Sequence, residues 1–291
     1  MSIAIAPHTV RAPFTPPTEA KLLGWIVAWS SRGINLTRAD LAAALQTAGF
    51  DPKLARALLP RHAWSRACHE LNANRIIRLL NETDDDLTFQ FTAEHRAERF
   101  EYREEAEVKV DKTSGRVSCD NVVIREDTQR LLDTAIDRRT GSDVTALIQR
   151  LFKAQADLFP IKQEGGVYFV PKRFEEFVNT VRVFAASVNI EYHMFPIAEG
   201  TPIGGASVQA VIADGLTALI EEYDKAVDGF SVETRKSTVS RAVDKVAQLQ
   251  LKIDSYAGYL EDQRAELLTK VQESKRKLRS IVEALGLEGA A

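Results

Sequence analysis

The sequence predicts an α+β protein: winged-helix-like modules with a small central antiparallel β region, followed by a C-terminal helical hairpin or coiled coil. Three observations predict it. Across residues 143–171 a helical apolar period (Val144, Leu147, Ile148, Leu151, Phe152) runs into two short β-type runs, 158–161 and 167–170. Lys162-Gln163-Glu164-Gly165-Gly166 joins those runs and can supply the positive φ of a tight hairpin. Leu87, Phe89 and Phe91 alternate with polar neighbours, the period of a half-buried strand. From Val239 onward apolar residues recur at alternating three and four, the period of a helix with a buried seam.

Taken in order, residues 1–17 carry Pro7, Pro13, Pro16 and Pro17 and read as a flexible arm. Thr18 caps a helix bearing Leu22, Leu23, Trp25, Ile26 and Trp29, which Gly33 closes. Thr37 caps a short alanine-rich helix ending at Gly49. Asp51-Pro52 opens another, with proline where its missing N–H costs nothing, and Pro60 interrupts it. A helix over 63–71 leads to the run 75–80, an acidic turn 82–86 and the strand 87–92: helices, then a hairpin. Residues 100–124 read as strand, turn, strand about Asp111-Lys112-Thr113-Ser114-Gly115. Beyond Pro171 a helix carries Phe174, Phe177, Val178, Val181 and Phe184, and 190–197 reads as a strand. The Gly/Pro-bearing loop 198–206 marks the main boundary.

After it the first helix carries Val208, Val211, Ile212, Leu216, Leu219, Ile220 and Tyr223, and Asp228-Gly229-Phe230 breaks it. One helix of about forty-five residues, roughly 65–70 Å long, is expected next. Its seam is Val239, Val243, Val246, Ile253, Leu260, Leu267, Val271 and Leu278, with Gln250, Arg264 and Ser274 where an apolar group is wanted. Such a rod needs a partner helix, from the preceding segment or another subunit, so these eight residues are the expected oligomerisation surface. The expected division is 18–124, 125–197 and 207–286.

Hydrophobic content of 45% and charged content of 27% are ordinary for a globular chain, and the net charge of −3 argues against an overall basic coat. Charge is nonetheless uneven. Residues 1–81 carry ten Lys/Arg against four Asp/Glu, and residues 82–120 carry six against twelve. Cations on helices and wings suit phosphate contact. The expected nucleic-acid-binding residues are Lys53, Arg56, Arg61, Arg66, Arg75 and Arg78 in the first module and Arg150, Lys153 and Lys162 in the second. Arg138, Arg139, Lys172 and Arg173 flank the latter.

No catalytic residue, metal site or cofactor is expected. Two cysteines, Cys68 and Cys119, and five histidines show no metal-ligand spacing. Gly165-Gly166 and Gly204-Gly205 lack the Gly-Lys-Ser/Thr of a phosphate loop. Asp86 with Glu107-Val108-Lys109 follows the carboxylate order of some metal-dependent nucleases, although an acidic turn and a solvated strand account for the same residues. The start lacks a charged region followed by a continuous apolar stretch, and no apolar run reaches the length of a membrane span, so a cytoplasmic location and no membrane partner are expected.

The segments AWSRACHELNANRIIRLL, LTFQFT, VKVDKTSGRV and GGVYFVPKRFEEF resemble a family of uncharacterised bacterial and phage proteins, roughly over residues 64–196. The resemblance implies a prokaryotic or mobile-element setting and transfers no functional position. The leading expectation is a non-enzymatic protein that binds nucleic acid or a partner complex through winged-helix-like modules and assembles through its C-terminal helices. The alternatives are a scaffold that contacts only proteins and a metal-dependent nuclease.

Overall fold

The computed structural model describes residues 21–72, 75–96, 100–162, 165–199, 202–231, 233–284 and 286; the expected arm of residues 1–17 lies outside them. In chain order the elements are β1 (Leu22–Ser30), β2 (Asn35–Thr37), α1 (Arg38–Thr47), α2 (Pro60–Leu71), β3 (Arg75–Glu82), β4 (Asp86–Arg96), β5 (Phe100–Asp111) and β6 (Val117–Ser118). There follow α3 (Val122–Asp137), β7 (Arg138–Thr140), α4 (Gly141–Gln155), β8 (Phe159–Pro160), β9 (Val167–Pro171), α5 (Glu175–Ser187) and β10 (Glu191–Ala198). The chain ends in α6 (Pro202–Asp228), α7 (Lys236–Ser255), α8 (Ala257–Leu260) and α9 (Gln263–Ala284). The expected mixed class, with antiparallel sheets and a helical C-terminal region, is present.

The chain divides into two compact, interleaved units. One comprises Trp29–Gln155 and Phe177–Tyr192 and holds the sheet β3-β4-β5-β6 and the ribbon β2-β7. Its sheet follows the alternation expected from sequence. Leu87, Phe89 and Phe91 of β4 and Val108 and Val110 of β5 turn to one face, where they bury against Ala63, Trp64 and Ala67 of α2 and Ile124 and Leu132 of α3. Trp64 lies on Phe89, ring centroids 4.9 Å apart. The opposite face carries Thr88, Gln90, Glu107 and Lys109. The expected return strand after Gly115 is short. It spans only Val117–Ser118, because Asn121 accepts from the N–H groups of Val123 and Ile124 and starts α3 there. A second aromatic group gathers Phe50, Phe152, Phe177 and Phe184; Phe152 and Phe177 meet edge to face at 5.2 Å.

The other unit comprises Met1–Ala28, Ala156–Glu176 and His193–Ala291. Its sheet has the order β10-β1-β9-β8. The hairpin expected in residues 158–170 forms: Phe159 faces Phe169 and Pro160 faces Tyr168. Gly165 and Gly166, at φ of 78° and 87°, make its turn.

Four expectations give way. The loop expected over residues 198–206 is already helix from Pro202, where α6 begins. The helix over residues 22–29 is instead β1, a central strand, with Ile26 opposite Phe169 and Val27 opposite Tyr168. Its aromatic and β-branched residues favour that choice. Gly24 permits it, since a Cβ there would collide with the Val170 carbonyl oxygen. Asp51-Pro52 opens only a single 3-10 turn, Pro52–Leu54. The long rod is folded: α7 ends at Ser255, Tyr256 and α8 turn the chain, and α9 returns. Tyr256 is fully buried, edge-on to Phe159 at 5.2 Å, and that anchorage outweighs continuation of the helix.

Val239, Val246, Ile253, Leu260, Leu267, Val271 and Leu278 therefore bury in one core with Ile212, Leu216 and Tyr223 of α6, and Val243 packs against it. Both partner helices come from this chain. The polar seam positions are explained in part: Gln250 accepts from the Lys275 ammonium at 2.5 Å and Arg264 pairs with Asp254 at 2.6 Å. The buried Ser274 hydroxyl has no hydrogen-bond partner among the described residues.

Candidate nucleic-acid interface

The expected cations separate into those spent inside the fold and those left in solvent. Arg66, on α2, grips both carboxylate oxygens of Asp143 at 2.8 and 2.6 Å. The hydrogen bonds to Asp143 hold the Arg66 guanidinium above its ordinary pKa. Burial works against the Asp143 charge, but Arg66 and the Thr140 donors outweigh it and keep the carboxyl below its usual range. Arg75, on β3, is paired with Glu105 of β5. Arg138 and Arg139 stand on β7 and not on a helix. Arg139 is only 3% exposed and donates to the carbonyls of Ile136, Arg138 and Arg56 at 2.9, 2.7 and 2.5 Å. Arg138 reaches Glu70 at 3.2 Å. These four arginines stitch helices and strands together.

Lys53, Arg56, Arg61, Arg78, Arg150, Lys153 and Lys162 are exposed, and Lys172 with them. Lys53, Arg56 and Arg61 fall in the short stretch between the Pro52–Leu54 turn and the first turn of α2. Leu59, the residue before α2, makes no side-chain cap, and the first turn holds no acidic residue. The positive end of α2 thus has no acidic compensation, and the chain that leads into it carries three exposed cations, a combination that favours anions. Arg150 and Lys153 share the solvent side of α4, whose opposite side buries Val144, Leu147, Ile148, Leu151 and Phe152.

Two features become evident only in three dimensions. The first is a repeated start: β2 leads directly into α1 and β7 into α4, and the two strands pair antiparallel, Asn35 with Thr140 and Thr37 with Arg138. Each helix opens on Thr-x-x-Asp. Asp40 N–H donates to the Thr37 hydroxyl at 3.1 Å, and Thr140 N–H donates to the Asp143 carboxylate at 2.8 Å. The spacing is visible in the chain; its meaning requires the pairing. The second is a knot on Asp157, which accepts from Arg173 at 2.8 Å and also from Lys252 and the Tyr256 hydroxyl. The Arg173 guanidinium lies 4.2 Å over the Tyr256 ring. Burial, then the Asp157 carboxylate, push the Tyr256 pKa up.

The nuclease order does not assemble in the sheet. Asp86 lies opposite Asp111, whereas Glu107 lies opposite Gln90, four residues along β4, or about 13 Å away. The Asp86 carboxylate is taken by Lys109 at 2.8 Å. Among the described residues no group of three or more His, Cys, Asp or Glu could hold a metal ion. Burial pushes the Cys68 thiol up to about 12, so it is a poor nucleophile. No helix among the described residues is long and apolar enough to cross a membrane.

The family model for the family of unknown function DUF6744 matches residues 22–287, from the first strand through the last helix. The chain belongs to that family. No curated protein and no solved structure matches it. Membership accordingly brings no activity with it, and the functional reading must come from the geometry above.

Proposed function

We propose that this DUF6744 protein is a non-enzymatic, nucleic-acid-associated assembly protein whose winged-helix-like strand–helix blocks present cations to a phosphate backbone. The observation that carries the reading is the stretch Lys53, Arg56 and Arg61, exposed at the uncapped, acid-free start of α2. Arg78, Arg150, Lys153 and Lys162 are further contacts, because among the described residues none of them is drawn into an ion pair as Arg66 and Arg75 are. The strand-then-helix starts at Thr37 and Thr140, and the β3–β4 and β8–β9 hairpins, support the winged-helix-like description. A prokaryotic or mobile-element, cytoplasmic setting belongs to the same proposal.

Fluorescence anisotropy with labelled duplex and single-stranded DNA across a salt series tests it. The expected result is tight binding at low salt that weakens steeply. The triple variant K53E/R56E/R61E should flatten the slope of log K against log salt by about 0.9 for each duplex phosphate it no longer neutralises. Background-level binding at low salt, or a triple variant that binds like the parent, would overturn the reading. A scaffold that touches only proteins is the second reading; the near-neutral overall charge favours it, and background-level binding would leave it standing.

A further inference from the structure

Where β6 runs into α3 the chain encloses a cavity of about 430 Å³, within the unit that carries the β3-β4-β5-β6 sheet. Local hydrogen bonds fix its walls. Val117 N–H donates to the Gln129 amide oxygen at 2.8 Å, and the Gln129 amide nitrogen donates to the Gly115 carbonyl at 3.1 Å. On its other side β6 is paired to β5, Ser118 opposite Lys109. Four charged side chains line the cavity: Arg116 and Arg125, Asp120 and Glu126. Among the described residues none of the four enters an ion pair or a side-chain hydrogen bond, although Arg125 is half-buried. That sets the two arginines apart from Arg66, Arg75 and Arg138, which the fold ties to carboxylates, and from Arg130 on the same helix, paired with Asp127 at 2.9 Å. Guanidiniums and carboxylates that share a cavity without reaching each other leave both signs of charge open to a molecule between them.

We propose that this cavity binds a small zwitterion of the amino-acid class, its carboxylate on Arg116 and Arg125 and its ammonium on Asp120 and Glu126. A simple anion would gain the arginines and meet the two carboxylates, and a simple amine would meet the reverse. Only a molecule with both charges satisfies all four groups. The size agrees, since small-molecule sites begin at roughly 300 Å³. Among the described residues the lining holds no aromatic ring, so recognition rests on the charged ends of the ligand and not on a large side chain. The first turn of α3 holds no acidic residue, and the positive end of that helix adds to the pull of the arginines on a carboxylate. The site is independent of the nucleic-acid reading: none of its residues is among the cations assigned to phosphate contact, and each proposal stands or falls alone.

Alkylation of Cys119 by iodoacetamide, followed site by site with mass spectrometry, reads occupancy of the full chain, because Cys119 lines the cavity and Cys68 on α2 does not. L-alanine, propionate and ethylamine, added separately at constant ionic strength, present both charges, the carboxylate alone and the ammonium alone. L-alanine should slow Cys119 saturably and leave Cys68 unchanged, with half-saturation at roughly millimolar concentration for a ligand of so few atoms. Propionate and ethylamine should do neither. Arg125→Gln should weaken the alanine effect about tenfold or more, as loss of a charge-assisted hydrogen bond does, and the double variant D120N/E126Q should do the same. Both should keep the parental thermal midpoint, since no side-chain hydrogen bond among the described residues is removed; if Arg125→Gln melts early, Arg116→Gln is read in its place. Arg130→Gln should respond like the parent. Unchanged Cys119 alkylation in L-alanine overturns the inference, as does protection that survives these cavity variants. Equal protection by propionate or by ethylamine overturns it too, because the cavity would then take a plain ion.

Discussion

Asp143 and Asp157 each gather several donors, one in each compact unit, and they are built differently. Asp143 serves its own neighbourhood: it takes two donors from Thr140, three residues back, and one long-range arm, Arg66. Its work is to start α4 and pin it to α2. Asp157 has no such local role. Its three partners are remote in the chain: Arg173 lies 16 residues on, and Lys252 and Tyr256 sit at the end of α7, the tyrosine 99 residues away. Asp143 can be half-guessed from a Thr-x-x-Asp spacing, while Asp157 leaves no mark in sequence at all. The number of remote partners, more than the charge, decides how much structure hangs on a carboxylate.

That difference should appear first as a ranking of stability losses. Asp157→Ala leaves two cations and a buried hydroxyl without their acceptor, and the side chain is only 14% exposed. Removing one member of such a pair costs about 3–4 kcal/mol. Asp143→Ala gives up a helix cap and the grip of a half-exposed arginine, about 2 kcal/mol together. Urea unfolding of the two variants, followed by circular dichroism, reads both. Equal losses, or a larger one at Asp143, would break the comparison.

Acid sharpens it. Both carboxyls are held below their ordinary range in the folded protein, in each case because donated hydrogen bonds and nearby cations outweigh burial. A depressed folded pKa contributes stability that is present above the unfolded value, about 3.9, and is lost as pH falls through the folded value. Stability should therefore be insensitive to these groups between pH 7 and about 5 and decline below about 4. Asp143→Asn and Asp157→Asn should each make the acid limb shallower. A limb of unchanged slope in both would show that other carboxylates govern acid unfolding.

The same logic accounts for what can be read from sequence. Local devices are legible: the Thr37 cap, the Leu87-Phe89-Phe91 alternation, and the glycine turn between β8 and β9 all appear where their chemistry requires. Elements decided by remote contacts are not. Leu22, Leu23 and Ile26 fit a helix face as well as a strand, and the choice rests on pairing with β9 and β10, far along the chain. The apolar period from Val239 continues past Tyr256, interrupted before it only by Gln250, and the stop there follows from remote anchors of Tyr256, the Phe159 ring and the Asp157 carboxylate. The candidate interface follows the same rule. Lys53 and Arg56 remain exposed as expected, but Arg66 and Arg75 meet carboxylates 77 and 30 residues away. A cation in a sequence is a surface cation only until its partner is known.

The turn that ends the rod supplies the smallest effect. Glu261 closes α8 at φ 42° and ψ −118°, a backbone region in which L side chains are strained and glycine is not. The side chain is exposed, and the ion pairs of the surrounding turn, Arg264 with Asp254 above all, do not involve it. Glu261→Gly should therefore relieve strain in the folded chain, offset in part by the greater freedom glycine gives the unfolded one, for a net gain of about 0.5–1 kcal/mol. A rise of a few degrees in thermal midpoint would check it. A fall would mean that the turn is fixed by the anchorage of Tyr256 and Leu260 on either side, with the backbone at Glu261 following passively. In that case both the α7–α9 reversal and the Asp157 knot would be consequences of one buried aromatic contact.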